Sequence, residues 1–395
     1  MNILVLNAGS SSLKCRYFKE EKDVASVTIE RIGENESYTT LNTASCSRKH
    51  THVIKDHHQA IDMLFSLLKQ NRILSDIGEL DAVGHRVVHG GAHFSTPVLI
   101  DREVIETIRS MIPLAPLHNP ANLNGIESIA VRYPSLPQVA VFDTAFHQTM
   151  PRQASCYPLP YDLYETYAVR RNGFHGTSHA YVGKAAAKVL KVPPEMLHLI
   201  TLHLGNGASG TAVKEGKSID TSMGMTPLEG LMMGTRCGDI DPAIIPYLMH
   251  ERKMTIEEVD SMLNKESGLK GICGTNDMRD VIARSDAGDE KSRLALEMYV
   301  YRIKKYIGSY IAVLGRLDAL VFTGGIGEHA SKVRKMVCAG LEETFGIILD
   351  EEKNAENGLA IHHEESKVKI LVIPTDEELE IARQTQEVLS TAGHR

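Results

Sequence analysis

Arginine and histidine residues recur beside glycine, proline or helix-capping residues at five places in this chain of 395 residues. Such residues are typical of loops at strand and helix ends, where α/β proteins bind their ligands. Taken alone, each arginine could be a solvated charge and each histidine a structural hydrogen-bonding residue. Their recurrence together favours a functional role. The segments are GHRVVHGG (84–91), PLHNP (116–120), FDTAFH (142–147), RRNGFHGTSH (170–179) and GTRCGD (234–239).

Three glycine-rich turns follow apolar strand candidates: residues 7–12 (NAGSSS), 205–210 (GNGASG) and 324–328 (GGIGE). Backbone N–H groups and hydroxyls in a tight bend can hold phosphate oxygens, although ordinary turns have the same composition. The second turn matches G-x-G-x-x-G, but a strand-like segment follows it where a dinucleotide-binding fold needs a helix. Residues 210–218 have five residues before Gly-Lys, one too many for a P-loop. Phosphate binding by a hairpin turn therefore remains as the hypothesis for these segments.

An acidic segment, TDEE at residues 375–378, follows the apolar strand KILVI. Thr375 and Glu378 have the spacing of a capping box, which leaves Glu377 freer to approach a metal. No H-E-x-x-H, G-x-S-x-G or EF-hand pattern occurs, so hydrolase and structural-metal functions have no local support.

Short apolar strands alternate with helical patterns, which predicts an α/β fold with parallel or mixed sheets. A plan of strand, small-residue turn and strand occurs twice, as ILVLN-AGSSS-LKCRYF and as LITLH-LGNGASG-TAVKEGKS. We therefore expect two similar domains facing one cleft, with a boundary near Met150–Pro151. The predicted strands cover 3–6, 13–18, 82–88, 138–142, 198–203, 319–323 and 369–373, and one long helix is predicted over 292–316.

Composition excludes several classes of function. The formal net charge is -7 and only 5% of residues are aromatic, with no tryptophan, which argues against nucleic acid as a partner. The six cysteines form no C-x-x-C and fit a reducing cytoplasm better than a disulfide framework. We expect neither a signal peptide nor a membrane span, because no run of about 18 apolar residues occurs.

Eight motifs in fixed order carry a resemblance to a known family: NAGSSSLK, GHRVVHGG, PLHNP, VFDTAFH, FHGTSH, HLGNGAS, GTRCGD and GGIGE. With them the chain resembles the acetokinase family of carboxylate kinases over nearly its whole length. The resemblance implies two duplicated actin-like (ribonuclease H-like) ATPase domains whose mixed sheets flank a central cleft. Residues 1–150, completed by a C-terminal helix over 379–395, would form one domain, and residues 151–378 the second, nucleotide-binding one.

The implied reaction is the reversible, Mg²⁺-dependent, direct in-line transfer of the ATP γ-phosphoryl group to acetate, which gives acetyl phosphate and ADP. Propionate or butyrate kinases of the same family are the nearest alternative, because one methylene changes binding by only about 1–3 kcal/mol. A non-catalytic actin-like ATPase is the alternative from another class. The resemblance also implies a homodimer.

The family's roles transfer to matching residues of this chain. Catalysis would involve Asp143, His175 and Arg236, and Mg²⁺ or Mn²⁺ would be bound at Asn7 and Glu377. The acetate site would comprise Arg86, Val88, Leu117, His118, Phe174 and Pro227. ATP or ADP would be bound by Lys14, His203, Leu204, Gly205, Asn206, Gly207, Asp277, Met278, Arg279, Gly325, Ile326, Gly327, Glu328 and His329.

These residue types suit a carboxylate kinase. A carboxylate is already ionised near neutral pH, so the nucleophile needs almost no general base. The task is to bring an anion to a polyanion and to stabilise a charged transition state, for which Arg, His and Mg²⁺ are appropriate. Arg86 can bind a carboxylate through a bidentate pair of hydrogen bonds. Asp143 would orient an arginine or metal-bound water, or position acetate.

Three positions depart from the family pattern. Gly324 stands where the family has Ala, His329 where it has Asn, and Asn172 where it has Tyr. The first two lie near the expected adenine site, so they leave the nucleotide preference open.

Overall fold

The computed structural model describes residues 1–116 and 118–392, which form two compact units. The first consists of Met1–Gln148 and the C-terminal segment that begins at Asp376, and the second consists of Thr149–Thr375.

The first unit contains an eight-stranded mixed sheet in the order β5-β4-β3-β2-β1-β6-β8-β7. Its strands are β1 (Asn2–Gly9), β2 (Ser12–Lys19), β3 (Lys22–Glu30), β4 (Ser37–Thr43), β5 (Ser47–His52), β6 (Ala82–Val87), β7 (Val98–Leu99) and β8 (Gln138–Phe142). Its helices are α1 (His57–Gln70), α2 (Arg102–Ser110), α3 (Asn119–Arg132) and α16 (Glu377–Ala392).

Alternation along β1 determines how these helices cover the sheet, because successive strand residues point to opposite faces. Leu4 and Leu6 belong to a buried cluster with α1 and α3 residues such as Leu64. Ile3 and Val5 belong to a cluster with Ile381 of α16 on the other face. The C-terminal helix is therefore part of the core of the first unit.

The second unit contains a five-stranded mixed sheet in the order β11-β10-β9-β12-β13. Its strands are β9 (His198–Leu204), β10 (Ala208–Lys214), β11 (Lys217–Thr221), β12 (Ala319–Thr323) and β13 (Lys369–Val372). Its helices are α4 (Arg152–Ser155), α5 (Tyr161–Tyr167), α6 (Gly176–Leu190), α7 (Ile244–Glu251), α8 (Ile256–Lys265), α9 (Gly268–Cys273), α10 (Met278–Asp286), α11 (Glu290–Leu314), α12 (Gly324–His329), α13 (Ser331–Cys338), α14 (Glu342–Phe345) and α15 (Glu351–Ala355). Short 3-10 turns cover Ile77–Glu79, Ile112–Leu114, Ala145–Thr149 and Pro194–Met196.

Five strands of the first sheet, β3-β2-β1-β6-β8, have the topology of the whole second sheet, which confirms the duplication predicted from the strand–turn–strand plan. In the first, β1 pairs antiparallel with β2 and parallel with β6, and β6 pairs parallel with β8. In the second, β9 pairs antiparallel with β10 and parallel with β12, and β12 pairs parallel with β13. Each unit thus carries a glycine-containing hairpin turn next to a parallel strand.

No helix within the described ranges is both long enough and apolar enough to cross a lipid bilayer. All six cysteines are free thiols.

Candidate active site

The turn between β9 and β10 brings two cationic or imidazole side chains together in the second unit. It contains Gly205, Asn206 and Gly207, and the Gly205 N–H donates to the Gly207 carbonyl at 3.0 Å. A methyl group added to Gly207 would lie 2.8 Å from Arg236 Nη2 and 3.5 Å from His175 Nε2. Only glycine therefore allows a guanidinium and an imidazole to approach this backbone so closely, as a site for phosphate oxygens requires.

Arg236 is held in place without a counter-charge. Its Nη1 donates to the Pro227 carbonyl at 2.7 Å. Burial lowers its pKa, and no carboxylate of the described chain lies within ion-pairing distance of it. A half-buried guanidinium in this condition is a strong site for an external anion.

His175 occupies the left-handed backbone region, with φ of 56°, immediately before α6. Its Nδ1 lies 2.9 Å from the Ser209 hydroxyl, and its ring stacks on His203 at a centroid distance of 4.2 Å. A non-glycine residue with positive φ is strained, and such strain is found where neighbouring contacts fix a functional side chain. The stack and the hydrogen bond fix the imidazole beside the glycine turn.

A cavity of about 840 Å³ lies in the second unit next to the same turn. It brings together most of the predicted nucleotide-binding residues, namely Gly205, Asn206, Asp277, Met278, Arg279, Gly325, Ile326 and His329. The apolar side chains of Met278, Ile282 and Ile326 could contact a planar base, which suits a site of nucleotide size.

Some cavity residues were not predicted from the sequence. Asn276 lines the cavity and donates from Nδ2 to Asn206 Oδ1 at 2.9 Å, so it fixes the turn residue. Lys332 also lines it and forms an ion pair with Asp286. Neither position stands in a motif, so only the fold could bring them here.

Two of the predicted nucleotide-binding carboxylates have structural partners. Glu328 Oε1 accepts hydrogen bonds from the N–H groups of Gly324 and Thr375. Asp277 caps α10 through the Arg279 N–H, and hydrogen bonds from Arg279 lower its pKa to about 2. Asp277 therefore lines the cavity itself, whereas Glu328 holds the backbone at Gly324, next to the cavity residues Gly325 and Ile326.

The first unit contains a partly buried charge cluster built on Arg86, near the end of β6. Its Nε and Nη2 donate to the two carboxylate oxygens of Asp143 at 3.0 and 2.7 Å. Burial opposes the charge of Arg86, but the neighbouring carboxylates, Asp143 above all, outweigh burial and raise its pKa. The arginine predicted to bind the substrate carboxylate is thus already oriented by Asp143.

Glu377 joins this cluster from the first turn of α16. Its carboxylate lies 3.7 Å from Arg86 Nε. Burial raises the pKa of Glu377 to about 7, with Arg86 opposing the shift and Asp143 adding to it. A half-buried carboxylate beside a second carboxylate is an environment that favours an added cation.

The predicted capping box at Thr375 and Glu378 is wrong. The N-cap of α16 is Asp376, whose Oδ1 accepts from the Leu379 N–H at 3.0 Å. The Thr375 hydroxyl lies 2.8 Å from that of Ser178 instead. Tertiary contacts therefore decide which of two neighbouring polar residues caps the helix.

The other two predicted residues for the phosphates and the metal face each other on the hairpin of the first unit. Asn7 of β1 and Lys14 of β2 are paired across the strands, with Asn7 half-buried and Lys14 exposed. Within the described part of the chain, no group of three or more His, Cys, Asp or Glu side chains is arranged to hold a metal ion.

The predicted acyl-pocket residues belong to both units. Val88 is buried in the first unit and Phe174 in the second. His118 precedes α3 and is exposed, and Pro227 is half-buried. Leu117 lies outside the described residues.

Two departures from the family pattern have structural consequences. Gly324 has φ of 74°, and a methyl group there would lie 2.8 Å from the Leu204 carbonyl oxygen, so this position favours glycine. Asn172 is buried, with its Nδ2 donating to the Arg170 carbonyl at 3.3 Å. The third departure, His329, is exposed at the cavity.

Comparisons with known proteins agree over the full chain. The family model described as "Acetokinase family" matches residues 2–383. A relative named acetate kinase from Sulfurovum sp. (strain NBC37-1) is 70% identical over 393 residues, which cover 99% of each chain. Another acetate kinase, from Helicobacter pylori (strain Shi470), is 52% identical and covers 98% of this chain and 99% of its own.

Two solved structures are similar along their whole length. An acetate kinase from Porphyromonas gingivalis has a TM-score of 0.94 at 43% identity, over 98% of this chain and 99% of that one. A propionate kinase from Francisella tularensis subsp. tularensis has a TM-score of 0.93 at 44% identity, with the same coverage.

Proposed function

Because the chain belongs to the acetokinase family, we propose that the Arg86 cluster binds a small carboxylate and that Arg236 and His175 bind the phosphoryl group transferred to it. The protein is a carboxylate kinase. Its reaction is the reversible transfer of the ATP γ-phosphoryl group to acetate, which gives acetyl phosphate and ADP.

One observation carries the assignment of the phosphoryl site. An arginine that has no carboxylate of the described chain within ion-pairing distance and an imidazole both face the backbone of Gly207, at 2.8 and 3.5 Å from the position of an added methyl group. The transferred phosphoryl group carries charge on three equatorial oxygens, and fixed donors in a partly buried site stabilise that charge. The adjoining cavity of about 840 Å³ has the size and apolar walls for the rest of the nucleotide.

Arg86 is the proposed carboxylate site. The fork to Asp143 uses Nε and one hydrogen of Nη2, which leaves Nη1 and the other Nη2 hydrogen to bind acetate. Asp143 therefore acts by holding Arg86 in one orientation. An ionised acetate needs no proton removed, so no base is assigned.

We propose Asn7 and Glu377 as the Mg²⁺ ligands. An amide oxygen and a carboxylate are ligands that Mg²⁺ accepts, and protein sites for Mg²⁺ commonly supply one or two such groups while phosphates and waters supply the rest. The raised pKa of Glu377 fits, because a cation would replace the proton that burial favours. Bound Mg²⁺ would neutralise phosphate charge as it develops.

We further propose that the protein is a cytoplasmic homodimer with neither nucleic acid nor membrane as a partner. Six free thiols fit a reducing compartment, and the formal net charge of -7 disfavours polyanionic partners.

A hydroxamate assay tests the proposed function. Purified protein with ATP, Mg²⁺ and acetate should yield an acyl phosphate that hydroxylamine traps, whereas an ATPase that only changes shape would yield none. Parallel rates with propionate and butyrate rank the substrates. A higher kcat/KM for either of these acids than for acetate would contradict acetate as the substrate.

A further inference from the structure

A buried row of hydrogen-bonding side chains lies behind His175 in the second unit. Thr201 Oγ1 lies 2.7 Å from His179 Nδ1, and His179 Nε2 lies 2.8 Å from Ser209 Oγ. Ser209 Oγ in turn lies 2.9 Å from His175 Nδ1. Thr201, His179 and Ser209 each have 0% exposed surface, so bulk water does not compete for these bonds.

Regular secondary structure holds every member of this row. Thr201 lies on β9 and Ser209 on β10, and the two strands pair antiparallel. His179 lies one helical turn after His175, with its N–H donating to the His175 carbonyl at 2.9 Å. His175 is the residue before α6, and both imidazoles meet the same serine hydroxyl.

Two proton arrangements place the Ser209 proton in a hydrogen bond within the row, because a hydroxyl has one proton and can donate it to only one of the two imidazoles. In the first arrangement Thr201 donates to His179 Nδ1, His179 Nε2–H donates to Ser209, and Ser209 donates to His175 Nδ1. The proton of His175 then lies on Nε2. In the second arrangement His175 donates from Nδ1, and its Nε2 presents a lone pair.

The surroundings of His175 Nε2 select the first arrangement. This nitrogen and Arg236 Nη2 both face Gly207, where the phosphoryl oxygens are proposed to bind. A lone pair at Nε2 would repel an anionic oxygen, whereas an N–H would donate to it. A fully protonated imidazole would also donate, but it would place a second positive charge beside Arg236.

We propose that Ser209 is a positioning residue that, with His179 and Thr201 behind it, keeps His175 as the neutral tautomer with its proton on Nε2, aimed at the transferred phosphoryl group. This inference rests on the proposed role of His175. In this arrangement the Nε2–H of His175 is a fixed hydrogen-bond donor, and His175 keeps the same protonation state throughout the reaction.

Kinetics of two matched variants test it. Ser209→Ala removes the hydroxyl between the imidazoles, and Thr211→Val removes a buried hydroxyl on the same strand that bonds only within the sheet, to Thr221 and not to a histidine. Ser209→Ala should lower kcat on the order of 10- to 100-fold with KM for ATP within about 2-fold. Thr211→Val should keep kcat within about 2-fold of the parent. Equal losses of kcat in the two variants, or an unchanged kcat in Ser209→Ala, would overturn the proposal.

A spectroscopic readout separates orientation from folding. In ¹⁵N-histidine-labelled protein, with the His175 resonances assigned by comparison with His175→Ala, the parent should show a protonated Nε2 and an unprotonated Nδ1. A parent His175 protonated at Nδ1 would overturn the proposal even if Ser209→Ala fails to fold. His175→Ala kinetics test the underlying role: an active His175→Ala removes that role, whereas an inactive His175→Ala beside an active Ser209→Ala removes the tautomer proposal alone.

Discussion

Adding one methyl group to the glycine turn should damage catalysis while leaving the fold intact. In Gly207→Ala the new Cβ would lie 2.8 Å from Arg236 Nη2, so the guanidinium must retreat by at least about 0.6 Å to reach ordinary contact. A misplacement of about 1 Å at a reacting centre can reduce the rate about 100-fold. We therefore expect kcat to fall about 10- to 100-fold, which corresponds to about 1.4–2.7 kcal/mol.

Hydroxamate kinetics and a thermal melt measure this together. The clash involves the end of a flexible side chain, and the backbone of Gly207 has no positive φ, so Tm should change by only about 2 °C or less. Gly183→Ala on α6 is the matched control, because a methyl group there meets no atom within 4 Å. Parental turnover in folded Gly207→Ala would refute the idea that Arg236 must lie against this turn.

Four further expectations concern the charged groups and the turn after β12. Arg236→Ala should lower turnover by on the order of 100-fold or more with a smaller change in KM for ATP, and unchanged turnover in the folded variant would remove Arg236 from the mechanism. Glu377→Ala should raise the Mg²⁺ concentration that gives half-maximal rate more than Glu378→Ala does, and a reversed ranking would show that the other carboxylate approaches the metal. Because the pKa of Glu377 is raised from 4.5 to about 7, its stability contribution is complete below about pH 4.5 and is lost as the pH rises through 7. Glu377→Gln should therefore raise the urea midpoint relative to the parent at pH 8 more than at pH 5, in Mg²⁺-free buffer. Gly324→Ala should destabilise the protein by on the order of 1–3 kcal/mol through its positive φ, as measured by urea unfolding; an equal or higher midpoint would contradict that strain.

The strands that the sequence predicted best are those buried on both faces. β8 and β12 have the predicted bounds because each is a continuous apolar run between helices. The predictions missed β4 and β5, whose sequences SYTTLNT and SRKHTH are mostly polar. Exposed β5 is defined by its pairing with β4, which no local pattern encodes.

The helix caps likewise differ in whether the local sequence predicts them. The spacing of Thr255 and Glu258 also predicts a capping box from the sequence alone, and both of its reciprocal hydrogen bonds are present. At this position α8 begins on an exposed surface, so the local sequence decides the cap. At α16 the N-cap is Asp376 and not the predicted Thr375, because Thr375 forms hydrogen bonds with Ser178 and Glu328, which are distant in sequence.

The candidate site was predictable where it depends on motifs. Gly207, His175 and Arg236 stand in recognisable segments, and the structure brings them together. The fork between Arg86 and Asp143 joins residues 57 positions apart, and the role of Asn276 depends on its hydrogen bond to Asn206. Such partners become evident only when the chain is folded.

The bidentate Arg86–Asp143 ion pair affects how strongly this enzyme can bind its carboxylate substrate. A guanidinium that is already paired with one carboxylate attracts a second one only weakly. The affinity for acetate should therefore be low, so that the occupancy of the site rises with the acetate concentration and the site is not saturated at low concentrations. The same neutralisation disfavours acids with two negative charges, because their second carboxylate would meet the further carboxylates of the cluster. The site would thus select anions by their charge as well as by the size of the acyl chain.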